Sequence, residues 1–297
     1  MARRKRIIED IEVIDIADRG HAIGKMPTGE IVIIMGEAVP GDVVDMVYSK
    51  KKKSLKHGFV SRYKSKSSHR VAPRCEHFGT CGGCKWQHLD YNQQATHKEN
   101  AVKQAIKRLA KDDDSKVNPI KAADKIYNYR NKLEYSFSTK RWLTQEEVDS
   151  KEEFHNRPGL GFHISGAFDK VLNVDHCHLQ DDFTNKIRNT YRALAIENGW
   201  SFYDIRNNHG LMRNIIVRNT TLGQWMLTFI FGANDEESIK SVLEKMQASL
   251  PEITSWHYII NTKANSSFND LPSHHVAGTT HIEEKLGEIT YLSLIHI

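Results

Sequence analysis

Four cysteines are the residues of this 297-residue chain whose number and spacing most clearly indicate chemistry. Three lie in the order C-x5-C-x2-C and the fourth follows after 92 further residues: Cys75, Cys81, Cys84 and Cys177. Four thiolates are the number that one zinc ion or one iron–sulfur cluster needs. Glycines at positions 79, 82 and 83 let the backbone pass close to such a centre.

Two kinds of centre fit four cysteines: a zinc ion or an iron–sulfur cluster. Structural zinc usually takes two paired knuckles, whereas three clustered cysteines and one remote cysteine are more typical of iron–sulfur sites, so the spacing favours a 4Fe-4S cluster. Flanking histidines are either surface residues or substitute ligands of a zinc site: His77, His88, His176 and His178. Disulfides and four unrelated buried thiols are the disfavoured alternatives.

The positive charge of the chain is concentrated in one segment. The net charge is +5, but Lys50 to Arg74 holds ten Lys or Arg and no acid, so the rest of the chain sums to −5. Like charges in such a block repel and favour a polyanionic partner, and Phe59, Tyr63 and His69 among them can stack on bases. This pattern predicts nucleic-acid binding, with a solvated lysine loop as the alternative.

The first sixty residues alternate short apolar runs with turns. Four runs rich in β-branched residues have strand length: Ile11–Ile16, Ile31–Met35, Val43–Tyr48 and Gly58–Tyr63. Glycines and prolines separate them, which predicts a small barrel, a common nucleic-acid scaffold. In the segments DRGHAIGK, AVPGDVV and GFV, this part of the chain resembles the TRAM domain, an OB-like barrel of RNA-modifying enzymes.

A wider resemblance starts from the cysteine motif. CEHFGTCGGCKWQHLDYNQQ, followed later by DHCHL, is similar to the RumA-type RNA uracil-5-methyltransferases. Further blocks resemble the central domain of that family in order: YRNKLEYSFS, GLGFH, LMRNIIVR, YIIN and HIEEKLGEITY. The resemblance implies that the four cysteines bind a 4Fe-4S cluster with a structural or RNA-contacting role.

The remaining elements indicate an α+β central domain. Helices are predicted at 91–110, 181–198 and 235–250, and strands at 132–137, 211–218 and 225–231. The charged residues 139–156 are predicted to be a surface excursion. The fold class is therefore α+β multidomain, with a barrel at 1–70, an iron–sulfur segment at 71–90 whose fourth ligand is the distant Cys177, and a central domain at 91–285.

Cations beside the central strands add to the RNA-binding candidates. Two pairs of cations either contact phosphates or are ordinary surface residues: Arg130 with Lys132, and Arg213 with Arg218. The residues predicted to bind RNA are cations of the barrel and the first of these pairs: Lys50, Lys51, Lys52, Lys53, Lys56, Arg62, Arg130 and Lys132.

The chemistry that the family implies needs groups beyond these. A thiolate would attack C6 of the uracil, C5 would take the methyl group of S-adenosylmethionine, and a carboxylate would remove the C5 proton. All four cysteines are assigned to the cluster, so none is left to act as the nucleophile. A turn that binds S-adenosylmethionine leads from a strand into a helix, whereas Gly159 and Gly161 precede a strand. We therefore expect the nucleophilic cysteine, the base and the S-adenosylmethionine site beyond Ile297, in a missing Rossmann-like methyltransferase domain that begins at 286–291.

The last six residues, LSLIHI at 292–297, are expected to be an artefact. They match in order the translation of the mosaic-end adapter of transposase-based sequencing libraries. Such scars are excluded from fold reasoning. The alternative is a genuine apolar strand.

Together, these features predict S-adenosylmethionine-dependent methylation of C5 of a uridine in RNA, with 23S rRNA as the preferred substrate. As a C-terminally truncated fragment, the chain is expected to be inactive and to retain RNA and cluster binding. Transfer RNA as the substrate and a non-catalytic RNA-binding iron–sulfur or zinc protein are the alternatives. A radical enzyme is disfavoured, because its cluster usually has C-x3-C-x2-C spacing.

Without a long apolar run or a signal sequence, a cytoplasmic monomer that does not enter membranes is expected.

Overall fold

The computed structural model describes residues 6–52, 55–154 and 157–293. The chain divides into two compact units. Unit 1 consists of Met1–Gly79 and Gly83–Ile126, and unit 2 of Thr80–Gly82 and Tyr127–Ile297.

Unit 1 begins with a closed barrel of five strands in the order β1-β2-β3-β5-β4. The strands are β1 (Ile7–Ile16), β2 (Ala22–Lys25), β3 (Ile31–Met35), β4 (Val43–Lys52) and β5 (Leu55–Ser65). β3 and β5 pair in parallel, and the other neighbours are antiparallel. The predicted small barrel is confirmed, with one short strand, β2, that the apolar runs did not indicate.

The barrel interior is filled by branched side chains and one methionine. Ile11, Val32, Ile34 and Met46 are fully buried there. A Cβ at Gly24 would lie 2.4 Å from the Ile11 Cγ2 atom, so only glycine fits where β2 crosses this core. Small barrels are filled in this way, which leaves the outer surface and the loops for binding.

The second part of unit 1 is a helix. α1 (Tyr91–Ala105) begins where the Asp90 side chain accepts a hydrogen bond from the Asn92 N–H, and it continues as a π-helical turn over Ile106–Ala110. The helix predicted over 91–110 is therefore confirmed. The His97 Nδ1 atom lies 3.0 Å from an Asp15 carboxylate oxygen, which connects α1 to the end of β1.

Unit 2 is built on a seven-stranded sheet with the order β12-β11-β10-β9-β6-β7-β8. Its strands are β6 (Lys132–Ser138), β7 (Gly159–Ile164), β8 (Ala167–Asn173), β9 (Met212–Asn219), β10 (Trp225–Phe231), β11 (Ser255–Ile260) and β12 (Ser273–Gly278). β10 and β11 pair in parallel, and the other pairs are antiparallel.

The main core of unit 2 combines one face of this sheet with residues of two helices, α3 (Phe183–Glu197) and α4 (Glu236–Ser249). Alternate residues of β6 are buried in it, among them Tyr135 and Phe137, as the alternation in that strand predicts. Both helices match their predicted positions within two residues at each end. Over the described residues, neither these helices nor any other is long and apolar enough to cross a membrane.

Two smaller features complete unit 2. The charged excursion contains a short helix, α2 (Gln145–Asp149), with a capping box formed by Thr144 and Glu147. A hairpin of β13 (Ile282–Leu286) and β14 (Ile289–Ser293) follows the sheet. Leu292 and Ser293, the first residues assigned to the adapter, pair in this hairpin, and residues 294–297 lie outside the described residues.

Candidate functional site

Cys75 and Cys84, the first and third predicted ligands, lie in unit 1 and are half-buried. The Cys75 N–H donates to the Gln87 side-chain oxygen at 3.2 Å, and the Cys75 carbonyl accepts from the Phe78 N–H at 3.1 Å. Burial raises the pKa of the Cys75 thiol, and the neighbouring Cys84 raises it further because two thiolates repel.

Cys81, the second predicted ligand, lies in unit 2 and is held against β7. It forms an isolated antiparallel bridge with Ile164. A Cβ at the next residue, Gly82, would lie 2.7 Å from the His163 carbonyl oxygen, which is too close for any side chain. Glycine is thus required where the cysteine segment meets the sheet.

Cys177, the fourth predicted ligand, is buried in unit 2, in the segment that precedes α3. Its N–H donates to the Asn185 side-chain oxygen at 2.8 Å, and the Asn185 side-chain NH2 donates back to the Cys177 carbonyl at 3.3 Å. The same Asn185 oxygen accepts a hydrogen bond of 3.0 Å from the Arg188 guanidinium. One asparagine therefore fixes both the backbone of Cys177 and a buried cation.

The predicted ligand set is divided equally between the two units. All four are free cysteines. Within residues 6–52, 55–154 and 157–293, no group of three or more His, Cys, Asp or Glu is placed to hold a metal ion. The predicted 4Fe-4S site therefore rests on the sequence, and the structure supplies the local surroundings of each cysteine.

The histidines beside the cysteines have contacts of their own. The His77 Nε2 atom lies 3.4 Å from a Glu76 oxygen, and the rings of His176 and His178 are 4.2 Å apart between centroids. His88 is buried, and this burial lowers its pKa. These contacts agree with the simpler interpretation of the four as supporting residues.

The basic segment begins at the end of β4 and contains the whole of β5. β4 ends at Lys52 and β5 begins at Leu55, so three of the four consecutive lysines belong to the end of β4. The side chains of lysines 50–53 lie outside the part of the chain that the structure describes. Their predicted RNA contacts therefore stay a prediction.

Acidic residues of the barrel neutralise part of the basic segment. Lys56 Nζ lies 2.6 Å from a Glu30 oxygen, and Lys64 Nζ lies 2.6 Å from an Asp10 oxygen. The Arg62 Nε atom lies farther from its acidic neighbour, 3.9 Å from an Asp45 oxygen, and the Arg62 side chain is 71% exposed. Of the predicted RNA-binding residues with described side chains in unit 1, Arg62 is the better placed to contact phosphate.

The aromatic residues among these cations differ in exposure. Phe59 is 52% exposed and His69 is also exposed. Tyr63 is half-buried under two cations, with the Arg70 guanidinium 4.9 Å and the Lys66 ammonium 5.7 Å from its ring centroid. Phe59 and His69 can therefore stack on bases, whereas the Tyr63 face packs inside unit 1.

The cations of the central sheet separate into two kinds. Arg130 and Lys132 are exposed, as phosphate contacts require. Arg213 is buried and Arg218 is half-buried, so neither is an ordinary surface cation. The Arg213 guanidinium donates to three backbone carbonyls of one loop: Asn261, Lys263 and Asn265. Arg213 is thus a structural residue of that loop.

The glycines Gly159 and Gly161 belong to strand β7 and not to a nucleotide-binding turn. A Cβ at Gly161 would lie 2.0 Å from the Leu172 carbonyl oxygen of the neighbouring strand β8. These glycines are therefore required for the close approach of two strands, and they do not form a cradle for S-adenosylmethionine.

Comparison with known proteins shows that the chain is homologous to RNA methyltransferases. No family model matches the chain. An uncharacterised RNA methyltransferase of Bacteroides thetaiotaomicron is 40% identical over 274 residues, which are 91% of this chain and 60% of that protein. An uncharacterised RNA methyltransferase of Porphyromonas gingivalis is 37% identical and covers 93% of this chain. The chain spans about 60% of the length of these curated relatives.

A solved structure corrects one part of the predicted fold class. The tRNA (uracil-54, C5)-methyltransferase of Pyrococcus abyssi, in complex with S-adenosyl-L-homocysteine, matches with a TM-score of 0.64 and 18% identity. The match covers 96% of this chain and 59% of that one. The prediction that the methyltransferase fold is missing is therefore wrong, because nearly the whole chain lies within the fold of a methyltransferase. The absence of a fifth cysteine and of a glycine-rich turn predicted a missing domain, but neither local pattern reports the framework of helices and strands that the two folds share.

Sequence reasoning did not find Asn185 and Arg188 as residues around Cys177. Both lie on α3, three residues apart, and thus on one face of the helix. A signal was present, because these polar residues interrupt the apolar face that buries Ile187 and Tyr191. Only the fold shows that this face meets Cys177.

Proposed function

We propose that this chain is part of an S-adenosylmethionine-dependent enzyme that methylates C5 of a uridine in RNA. The observation that carries the proposal is the homology to RNA methyltransferases over more than 90% of the chain. The fold shared with a uracil-C5 methyltransferase supports the position of the methyl group, and the S-adenosyl-L-homocysteine in that structure supports the methyl donor. Loss of one 5-methyluridine from the RNA of cells without the gene is the result that tests this proposal.

Ribosomal RNA, specifically 23S rRNA, is the proposed substrate, and tRNA is the second candidate because the matched structure acts on tRNA. Phosphate contacts from the exposed Arg62, Arg130 and Lys132, and from the lysines at 50–53, would supply affinity without selecting a sequence. Selection requires contacts to bases, for which the exposed Phe59 is placed.

Direct competition tests the class of RNA. Labelled 23S rRNA bound to the full chain is displaced with unlabelled 23S rRNA, with tRNA, and with DNA of the same sequence. Displacement by 23S rRNA at the lowest concentration supports the proposal, and displacement by tRNA at the lowest concentration favours the second candidate. Equal displacement by all three contradicts specific RNA recognition.

The four cysteines are proposed to hold one 4Fe-4S cluster. The number and spacing of the cysteines support this proposal, and the fully buried Arg188 donates to the same Asn185 oxygen that accepts from the Cys177 N–H. When bound, the cluster would stabilise the fold around Cys75, Cys81, Cys84 and Cys177, and these cysteines are then not available as nucleophiles.

A non-catalytic RNA-binding metal protein is the alternative. Anaerobic purification followed by iron, sulfide and zinc analysis separates the metals. About four iron and four sulfide per chain support the cluster, and one zinc per chain without sulfide contradicts it. Serine substitution of each cysteine in turn should lower the iron content of the protein. If the protein binds RNA with unchanged affinity after all metal is lost, the barrel and the cluster have separate roles.

A further inference from the structure

The start of the charged excursion extends the sheet of unit 2 beyond its last strand, β8. The Trp142 N–H donates to the Val171 carbonyl at 2.7 Å, and the Val171 N–H donates to the Lys140 carbonyl at 3.2 Å. Arg141 is thereby registered in parallel with Val171. The first residues of the excursion are therefore held beside β8 as a further extended segment.

The outward face of β8 presents an aromatic ring and a cation next to this segment. Asp169 and Val171 are buried, whereas Phe168 is 62% exposed and Lys170 is half-buried. Because successive side chains of a strand point to opposite faces, Phe168 and Lys170 share the outward face. Within the described residues, Phe168 belongs to none of the apolar clusters that form the cores. The fold alone therefore does not explain a phenylalanine at this position.

Two aromatic rings at this edge of the sheet each have a cation over them. The Arg206 guanidinium lies 5.4 Å from the Phe168 ring centroid, and the Lys170 ammonium lies 5.2 Å from the Trp142 ring centroid. Both distances are within the range of about 6 Å in which a cation is attracted to an aromatic face. These four residues form what we call the β8 surface.

Arg206 is held over Phe168 by the buried Asp169. The Arg206 Nε atom donates to Asp169 Oδ2 at 2.5 Å, while 56% of the Arg206 side chain stays exposed. This hydrogen bond lowers the pKa of the Asp169 carboxyl, which is therefore ionised. The ion pair orients the guanidinium and leaves it accessible from outside.

The carboxylates beside the β8 surface are directed at the protein itself. Asp169 is buried, and Asp204 accepts from the Arg206 N–H at 2.8 Å and from the Asn207 side-chain NH2 at 3.0 Å. The cations are more accessible, since Lys140, 4.0 Å from Asp169, keeps 33% of its side chain exposed. The surface therefore offers positive charge and aromatic faces to a partner.

Single-stranded RNA is the partner that matches this chemistry. Its phosphates are anionic, and its unpaired bases present flat faces that stack on aromatic side chains and on guanidinium planes. In a duplex the same faces are covered by neighbouring bases. An exposed phenylalanine under an arginine thus favours an unpaired segment over a double helix.

We propose that the β8 surface of unit 2 binds an unpaired segment of RNA. A base stacks on Phe168, the half-buried Trp142 offers a smaller stacking face, and the two cations contact the flanking phosphates. The inference rests on the proposed function, which supplies RNA as the ligand. It gives the start of the charged excursion a role, and it adds contacts in unit 2 to those predicted for the barrel.

A single-stranded oligouridine tests the stacking residue. An oligomer of about 12 nucleotides, within the range that stacking sites occupy, is titrated with the full chain and followed by fluorescence anisotropy. Phe168→Ala should weaken binding at least about fivefold, the lower limit expected for one lost stacking contact. Phe168→Trp should keep the affinity and Phe168→Leu should not, because leucine is apolar but has no ring. Leu222→Ala, which removes another exposed apolar side chain of unit 2, is the matched control.

The salt dependence of binding separates stacking from charge. Arg206→Gln should lower the slope of log affinity against log salt by about 0.7, the value for one phosphate contact to a single strand. Phe168→Ala should leave the slope unchanged, because it removes no charge. If Arg206→Gln does not fold, since Asp169 loses its partner, Lys170→Gln gives the same readout. Unchanged slopes in the folded variants overturn the phosphate contacts.

Cross-linking shows whether the contact is direct. Oligouridine that carries 4-thiouridine is irradiated with the full chain, and the linked peptides are identified by mass spectrometry. A link to a peptide that contains Phe168 or Trp142 supports the proposal, and links confined to unit 1 contradict it. Failure of the wild-type chain to bind oligouridine overturns it. Wild-type affinity in both Phe168→Ala and Phe168→Leu also overturns it, and points to a protein partner for the exposed ring.

The two proposals fail in different ways. Retention of every 5-methyluridine in cells without the gene overturns the methylation, whereas the affinities of the Phe168 variants for oligouridine still report on the β8 surface. Loss of a 5-methyluridine in those cells, together with wild-type affinity in the Phe168 variants, overturns the β8 surface alone.

Discussion

Arg70 and Asp42 form a buried two-point ion pair between the end of the basic segment and the turn that precedes β4. The Arg70 Nε atom donates to Asp42 Oδ1 at 2.9 Å, and Nη2 donates to Oδ2 at 2.6 Å. The Asp42 carboxylate is fully buried and also accepts from the N–H groups of Val39 and Ser67. One of the ten clustered cations therefore stabilises the barrel and is not part of an RNA surface.

Replacing Asp42 should destabilise unit 1 strongly. Asp42→Ala leaves a partly buried cation and two backbone N–H groups without their acceptor, and removal of one partner of a buried pair costs about 3–5 kcal/mol. Hydrogen–deuterium exchange of barrel peptides in increasing urea measures this loss. The control is Asp112→Asn, whose partner Lys116 is exposed, with an expected change below about 0.5 kcal/mol. Equal effects of both variants would contradict the structural role of Asp42.

The lysines at 50–53 should contribute to RNA affinity through counterion release. Each phosphate contact to single-stranded nucleic acid adds about 0.7 to the slope of log affinity against log salt. Replacing all four by alanine should therefore lower the slope by up to about 3, measured by filter binding between 50 and 300 mM salt, roughly the range in which this effect is large. Lys240→Ala on α4, in unit 2, is the control. An unchanged slope would show that these lysines form a solvated loop and do not contact phosphates.

Arg62 should matter more for RNA binding than Lys56. Lys56 is paired with Glu30 at 2.6 Å and its side chain is 24% exposed, whereas Arg62 lies 3.9 Å from Asp45 and its side chain is 71% exposed. Arg62→Ala should weaken binding about three- to tenfold, the range of a solvent-exposed phosphate contact, and Lys56→Ala should have a smaller effect. Filter binding at one salt concentration compares the two. The reverse order would show that the pair with Glu30 opens when RNA binds.

Phe59 should contribute by stacking on a base. The ring is half exposed, so Phe59→Ala should leave the barrel intact and lower RNA affinity by about 1–3 kcal/mol. Tyr63→Ala is the comparison, because Tyr63 packs under Arg70 and its loss should reduce stability first. Affinity and melting temperature are measured for both variants. Full RNA affinity in folded Phe59→Ala would exclude stacking at this position.

The stability of unit 2 should fall in mild acid. Burial, and to a smaller extent the charge of His275, lower the pKa of His257 from 6.5 to about 4. The folded state therefore holds His257 neutral, and its contribution to stability, complete above pH 6.5, is lost as the pH falls toward 4, at no more than about 1.4 kcal/mol per pH unit.

His257→Gln should flatten this dependence without abolishing it, because burial also lowers the pKa of His163. Melting temperatures at several pH values between 4 and 7.5 provide the test. A wild-type slope in His257→Gln would assign the acid sensitivity to other groups.

Local pattern was sufficient to predict much of the secondary structure. Runs such as Ile31–Met35 and Trp225–Phe231 coincide with the observed strands, because β-branched or apolar runs bounded by turns carry this information locally. Strand β2 was missed because it has four residues and contains Gly24, which is explained only by the barrel core.

Sequence reasoning identified the four cysteines but not how other chain segments surround them. Whether an arginine is on the surface or buried depends on contacts that are distant in sequence, and for this reason Arg213 was misjudged and Arg188 was overlooked. Short motifs such as a glycine-rich cofactor turn likewise did not indicate the shared methyltransferase framework. Only similarity between whole folds shows it.

Methylation of a uridine in RNA is tested most directly in cells that lack the gene. 5-Methyluridine is mapped at single-nucleotide resolution in 23S rRNA and tRNA from the deletion strain, the parent strain and a strain complemented with the gene. We expect the loss of 5-methyluridine at a defined position of 23S rRNA, restored by complementation. Retention of every 5-methyluridine in both RNAs would contradict the proposed function.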